Sequence, residues 1–294
     1  MIRIDLQVDL RYVVDGHGAD FVFLLHAAHT ACQSLAQESL WVSQAVDAHM
    51  SLDPATGNRT LRLRAQPGDL SLQYRALVDI THHIADPATI AEVPVQRLPP
   101  EVMGYIHPSR YCQSDRLGRF AMAEFGSLWQ GYARVLAIQD WVRQQVAFKS
   151  NTSDGHTSAV DTLIERVGVC RDFAHLMIAL CRALNIPARF VSGTDYGADP
   201  ALGPPDFHAY VEVYLGDRWY LFDPSGTAIP MGLVRFGTGR DAADVAFATI
   251  FGGVVASAPV IRATAIEDPS QRLVLPHRVN DALSTDAGPT TAWH

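Results

Sequence analysis

Cysteine is scarce in this chain of 294 residues: Cys32, Cys112, Cys170 and Cys181 are widely scattered. No CxxC pair occurs, which leaves neither the usual zinc spacing nor a dithiol redox motif. Basic charge is also in deficit, with 23 Lys and Arg against 31 Asp and Glu for a net charge of -8. That sign argues against nucleic acid as a partner, because phosphate binding rests on Lys and Arg. No run reaches the roughly 18 uninterrupted apolar residues of a membrane span. Arg3, Asp5 and Asp9 break up the start of the chain, where an export signal needs a continuous apolar stretch. No acidic cluster has the spacing of a calcium loop. His26 with His29, and His82 with His83, lack a third ligand at a familiar distance and read as surface or strand residues. The expectation is a cytoplasmic protein with free thiols and no metal or cofactor.

What is present is ordinary globular material, 48% hydrophobic and 18% charged, in a chain long enough for two domains. Ile2, Ile4, Leu6, Val8 and Leu10 alternate with polar residues, the mark of a half-buried strand. An apolar run over 21–25 follows a Gly-rich turn, and Leu61 and Leu63 precede Pro67-Gly68-Asp69. Leu70, Leu72, Tyr74, Ala76, Val78 and Ile80 then alternate again. Strands with one apolar face need a second layer, which predicts an antiparallel β-sandwich-like domain over 1–98.

From Asp115 the period becomes helical, with Trp129, Val135, Ile138, Trp141, Val142 and Val146 on the repeat. A further helix should start near Cys170, bury Phe173, Met177, Leu180 and Leu184, and stop at Asn185 and Pro187. A strand over 189–192, a loop over 193–205 and two strands, 208–215 and 218–223, follow; Gly216-Asp217 joins the last two as a hairpin. A second domain over 99–265 and a C-terminal extension over 266–294 complete the chain. The end of the extension, from about Asp281, reads as a mobile tail.

The hairpin allows a geometric test. If Leu215 pairs with Arg218, counting back sets Tyr210 opposite Asp223, so His208 and Asp223 share a sheet face as diagonal neighbours about 7–8 Å apart. Gly168 reads as a flexible point that loosens the entry to the helix starting at Cys170, whose thiolate would be favoured by the unpaired N–H groups and the macrodipole. Its own N–H is a natural oxyanion donor. A thiol, an imidazole and a carboxylate so arranged are the parts of nucleophilic acyl transfer.

The runs GVCRDFAHLMIALCRALNIPARFVSG and DFHAYVEVYLGDRWYLFDPS resemble the core of the bacterial transglutaminase-like superfamily, a papain-related group that includes candidate cysteine proteases. HPSRYCQSDRL at 107–117 and GRDAADVAFATIFG at 239–252 are similar to further segments of that group, whose members carry an N-terminal β-rich domain. The resemblance implies an α+β fold with a catalytic core over 99–265, in which a nucleophile helix packs on an antiparallel sheet and Cys170, His208 and Asp223 hold the triad positions. It also implies attack on a peptide or carboxamide carbonyl through a thioester. Water as acceptor makes a cysteine protease or amidase; an amine makes a transglutaminase. A non-catalytic binding or scaffold protein on the same fold is the reading from another class.

Among the remaining residues, Asp172 reads as structural, His175 as core packing and Cys181 as inert. Gln113 could offer an amide to the oxyanion, against a loop role for Tyr111, Cys112 and Gln113 that ties the domains together. Trp141 reads as packing.

Overall fold

The computed structural model describes residues 1–285. The alternating segments become long strands. In β1 (Ile2–Val14) the residues Ile2, Ile4, Leu6, Val8 and Leu10 are buried. Before the next long strand come β2 (Ala19–Phe23), β3 (Gln33–Val42), β4 (Ala48–Leu52) and β5 (Arg59–Ala65). β6 (Gly68–Ile80) pairs antiparallel with β1 from Ile2↔Ile80 to Val14↔Gly68, and β3 takes its other side. β2, β5 and β4 build the second sheet. The apolar faces of the two sheets share one core, in which Tyr12 meets Phe21 with ring centroids 5.1 Å apart. β3 and β4 have no clean alternation: β3 is largely exposed and β4 wholly so, which hides them from a period-2 reading.

After the short β7 (His83–Ala85) come α1 (Ser114–Phe125) and α2 (Tyr132–Gln145), broken apart where Gly131 adopts φ 125°. β8 (Ala147–Phe148), α3 (Ala159–Glu165) and β9 (Val167–Gly168) lead to α4 (Cys170–Ala183). α4 packs on a four-stranded antiparallel sheet of β10 (Ala188–Thr194), β11 (Phe207–Leu215), β12 (Arg218–Phe222) and β13 (Arg235–Gly239), in the order β12-β11-β10-β13. Along β11 the odd-numbered Ala209, Val211, Val213 and Leu215 join the main core with α4. Tyr210 belongs to a separate cluster with Val191, Leu221, Ala228 and Leu233 on the other face.

Strands near the expected boundary at 265 return to the first two sheets. β14 (Ala248–Phe251) pairs with β2, and β15 (Val254–Ala256) and β16 (Val260–Ile266) pair with β1. Residues 248–266 thus complete the sandwich, because β1 would otherwise present an open edge of unpaired N–H and C=O groups. The expected tail also begins later than Asp281: β17 (Ala282–Ser284) pairs with β7, and Ser284 and Thr285 are buried. The rest of the expected mobile end lies outside the described residues. Among the described residues, no helix is long and apolar enough to cross a membrane.

The sandwich and the core meet at β13. Gln33 donates from Nε2 to the Arg235 carbonyl at 2.9 Å and accepts the Arg235 N–H at 2.9 Å. Asn58 does the same to Thr238, at 2.8 and 2.9 Å. Two side-chain amides thus cap the outer edge of the four-stranded sheet as a further strand would.

Removing Asn58 leaves the buried Thr238 N–H and carbonyl without these bonds, and removing Gln33 leaves the Arg235 N–H and the Ala28 carbonyl without theirs, at about 1–3 kcal/mol per group, while the Arg235 carbonyl keeps the Ala28 N–H. Asn58→Ala and Gln33→Ala should each lower stability to urea by about 2 kcal/mol or more. A midpoint equal to that of the unsubstituted protein in both variants would remove the edge-capping role.

Candidate active site

α4 is buried from Asp172 to Arg182, and its seating places Cys170. At the first turn the Asp172 carboxylate accepts the Val169 N–H at 2.8 Å, while the Asp172 N–H donates to the Val169 carbonyl at 2.8 Å. This reciprocal cap is the structural role expected for Asp172. Gly168 is needed for close approach rather than for a loosened backbone: a Cβ there would lie 2.7 Å from Asp172 Cβ and 2.8 Å from its Oδ2. At the other end Arg182, 2% exposed, spreads its guanidinium over the carbonyls of Ala188, His107 and Arg240 and the Ser109 hydroxyl.

The hairpin has the expected register, Leu215↔Arg218 through Val211↔Phe222. Extended by one pair, it sets Asp223 opposite Tyr210, on the face that carries His208. His208 Nε2 lies 3.2 Å from Asp223 Oδ1, and both residues are buried. Cys170 acts on the same imidazole and helps to raise its pKa. Cys170 itself is half-buried, the access a nucleophile requires.

Burial opposes charge on His208, but the Asp223 carboxylate, then Cys170, overcome it and raise the imidazole from 6.5 to about 10. Burial likewise pushes Asp223 upward, yet the charge and hydrogen bond of His208, with those of Ser225 and the Ala228 N–H, hold it below its ordinary 3.8. The Cys112 and Cys181 thiols are pushed up by burial, Cys112 to about 12, so both behave as inert core.

With this geometry in place, the comparisons with known proteins take their meaning. Residues 124–224 match the transglutaminase-like superfamily core, and residues 2–101 match the bacterial transglutaminase N-terminal domain. The crystal structure of a candidate cysteine protease from Cytophaga hutchinsonii is 38% identical, covers 96% of this chain and 97% of its own, and superposes with a TM-score of 0.89.

The chain belongs to the transglutaminase-like superfamily.

Membership and that neighbour place it, at the level of the family, among cysteine-nucleophile enzymes. Uncharacterised proteins of Mycobacterium leprae (34% identical over 117 residues, 38% of this chain) and Mycobacterium tuberculosis (34% over 109 residues, 33% of this chain) are also similar. The matched part spans only 42% and 35% of the length of these curated relatives.

The superfamily segment at 107–117 braces α4. Tyr111 stacks on His175 with centroids 4.9 Å apart, donates its N–H to Asp241 at 2.9 Å and its hydroxyl to the Gly155 carbonyl at 2.7 Å. His175 is core, as expected: burial lowers its pKa to about 3, and its Nε2 accepts the Ala242 N–H at 3.2 Å. Gln113 stands at the start of α1, with its Oε1 buried and without a partner among the described residues. Trp141 packs edge-on against Phe120 and Phe125, the packing role expected. His26 is no surface residue: it is 2% exposed and lowered by burial to about 4.

Sequence reasoning missed Ser225, whose hydroxyl donates to Asp223 Oδ1 at 2.6 Å, and the acidic pair Asp195 and Asp206, whose charges act on His208. An Asp followed by Pro-Ser-Gly is an Asx-turn signal that could have found Ser225. A loop pair held by its own backbone bonds leaves no such trace.

The raised His208 value fixes a pH window. A group bound more tightly to its proton in the folded state contributes stability that is fully present below about 6.5 and is lost as pH rises through about 10. His208→Gln should therefore cost more stability in urea at about pH 6 than at about pH 10. An equal cost at both would contradict the ion-paired imidazole.

Proposed function

We propose that the protein is a cysteine-nucleophile acyl-transfer enzyme that hydrolyses a peptide or carboxamide bond. The observation that carries this reading is the convergence of Cys170, His208 and Asp223 from a helix start and a hairpin, with His208 bonded to Asp223 and Cys170 near enough to raise the imidazole pKa. In this reading the thiolate of Cys170 attacks the carbonyl carbon while His208 holds the proton. The tetrahedral oxygen forms beside the N–H groups that open α4, where the first turn of a helix leaves donors without intrahelical partners. The C–N bond then breaks, His208 gives its proton to the departing amine, and a thioester to Cys170 remains. Water, relieved of a proton by His208, adds to the thioester and releases the acid and the thiol. Asp223 stays ionised throughout and orients the ring, as its lowered pKa favours.

One observation favours an amine acceptor as the second reading. Asp195 and Asp206 act electrostatically on His208 from the loop before β11, and an ammonium group would be drawn toward them. Transfer to an amine shares the thioester and differs only in what attacks it.

Iodoacetamide should label Cys170 well ahead of Cys112 and Cys181 in the folded protein, and Cys170→Ala should abolish both the labelling and turnover of a peptide library. Equal labelling of Cys112, or full turnover by Cys170→Ala, would remove the assignment. Ammonia or peptide release without incorporation of a labelled primary amine distinguishes hydrolysis from amine transfer.

A further inference from the structure

The Asp223 carboxylate is more heavily solicited than a triad alone requires. Its Oδ1 receives the Ser225 N–H at 3.1 Å, the Ser225 hydroxyl at 2.6 Å and His208 Nε2 at 3.2 Å, while its Oδ2 receives the Ala228 N–H at 3.0 Å. The shortest of these is the Ser225 hydroxyl. The same oxygen lies 3.4 Å from His208 Nε2 and 2.9 Å from Thr227 Oγ1. An Asx turn needs only the backbone N–H of the residue two positions on. The hydroxyl bond is an addition to the turn, made in a buried place where a charge-assisted bond is strong.

The geometry points to Ser225 as a positioning residue that holds the Asp223 carboxylate and makes His208 present Nδ1 to Cys170. This inference rests on the cysteine-nucleophile reading. A neutral imidazole carries its one proton on either nitrogen. With the proton on Nε2 it donates to Asp223, and the Nδ1 lone pair is free to take the proton of the thiol. With the proton on Nδ1, Nε2 must accept, and the Ser225 hydroxyl is within reach to supply that bond. A hydroxyl has a single proton, however. While Ser225 gives it to Asp223 it has none for Nε2, so the unproductive tautomer finds no donor there. The hydroxyl also favours the ionised carboxylate that stabilises the imidazolium. The titratable groups facing the pair are Cys170 from α4, Asp195 and Asp206 from the loop before β11, and Tyr210 from β11, on which Arg278 of the C-terminal segment acts.

Ser225→Ala and Ser225→Thr test this without a known substrate. The rate of Cys170 alkylation by iodoacetamide is followed against pH, with the site located by mass spectrometry. Ser225→Ala should move the acid limb upward by about 0.5–1 pH unit, because Asp223 loses a bond to its charged form. Ser225→Thr, which keeps the hydroxyl, should leave the limb in place. In a Cys170→Ala background, where no thiolate holds the imidazolium, the side-chain ¹⁵N shifts of neutral His208 should report the Nε2–H form with Ser225 present and a mixture of tautomers in Ser225→Ala. An unmoved limb and an unchanged tautomer in Ser225→Ala overturn the positioning role and leave the nucleophile reading intact. Absence of preferential Cys170 labelling in the unsubstituted protein overturns both. If Ser225→Ala does not fold, Ser225→Thr decides: a folded variant with a displaced limb overturns the role, and an unmoved one supports it.

Discussion

Burying a helix removes water from both of its ends, so the first N–H groups and last carbonyls of α4 must find partners inside the protein. At the C-terminal end, Arg182 bonds backbone carbonyls from the strand that follows, the 107–113 segment and the turn after β13, which fixes α4 against three separate pieces of chain. At the N-terminal end, Asp172 reaches back to Val169, and Gly168 leaves room for it. The cap takes up the Val169 N–H and leaves the opening of the helix to the cysteine. A cysteine held this way has little freedom to drift.

The two halves of the molecule constrain each other at the same place. Phe207, one residue before His208, stacks on Phe247 with centroids 4.4 Å apart. Phe247 lies on the chain that returns to the sandwich, and its carbonyl accepts the Leu24 N–H at 3.0 Å. The start of β11 is therefore buttressed by the sandwich, and β13 is capped by Gln33 and Asn58 from the same side. Sandwich strands that close only when 248–266 arrive cannot be complete before the chain of the four-stranded sheet has been laid down. That makes the N-terminal β-domain part of the support for His208.

The parts of this arrangement that were legible in the sequence are those set by local periodicity or turn chemistry. Alternation gave β1 and β6, helical spacing gave α4, and Gly216-Asp217 set the register that puts His208 and Asp223 on one face. Longer-range dependencies left no such mark. Val260 to Ala265 read as part of the core because nothing in their composition records that β1 needs a second neighbour. Gly168 looked like a hinge because a glycine chosen for a neighbour's side chain is indistinguishable, in one sequence, from one chosen for its backbone. Ser225 was passed over for a similar reason: a serine after Asp-Pro is ordinary turn material until its hydroxyl is seen on the carboxylate.

The face of β11 that carries His208 also carries Glu212, fully buried between Arg189 and Arg235, with Tyr210 between the two polar groups. Buried ion clusters contribute little stability compared with apolar packing, and breaking one is costly, so their value lies in fixing an arrangement. Glu212 joins β10, β11 and β13 through the two arginines, and Thr285 donates its hydroxyl to the same carboxylate at 3.1 Å. A sheet face bearing an imidazole, a catalytic-type carboxylate and a charge cluster cannot be covered by an apolar helix like the one on the opposite face, since each group would lose water without gaining a partner. It is covered by turns and by the C-terminal segment, whose Arg278 donates to the Gly226 carbonyl at 3.1 Å just beyond Ser225. The chain beyond β16 follows from this chemistry: one face of the sheet supplies the core, and the other needs a polar cover that α4 cannot provide.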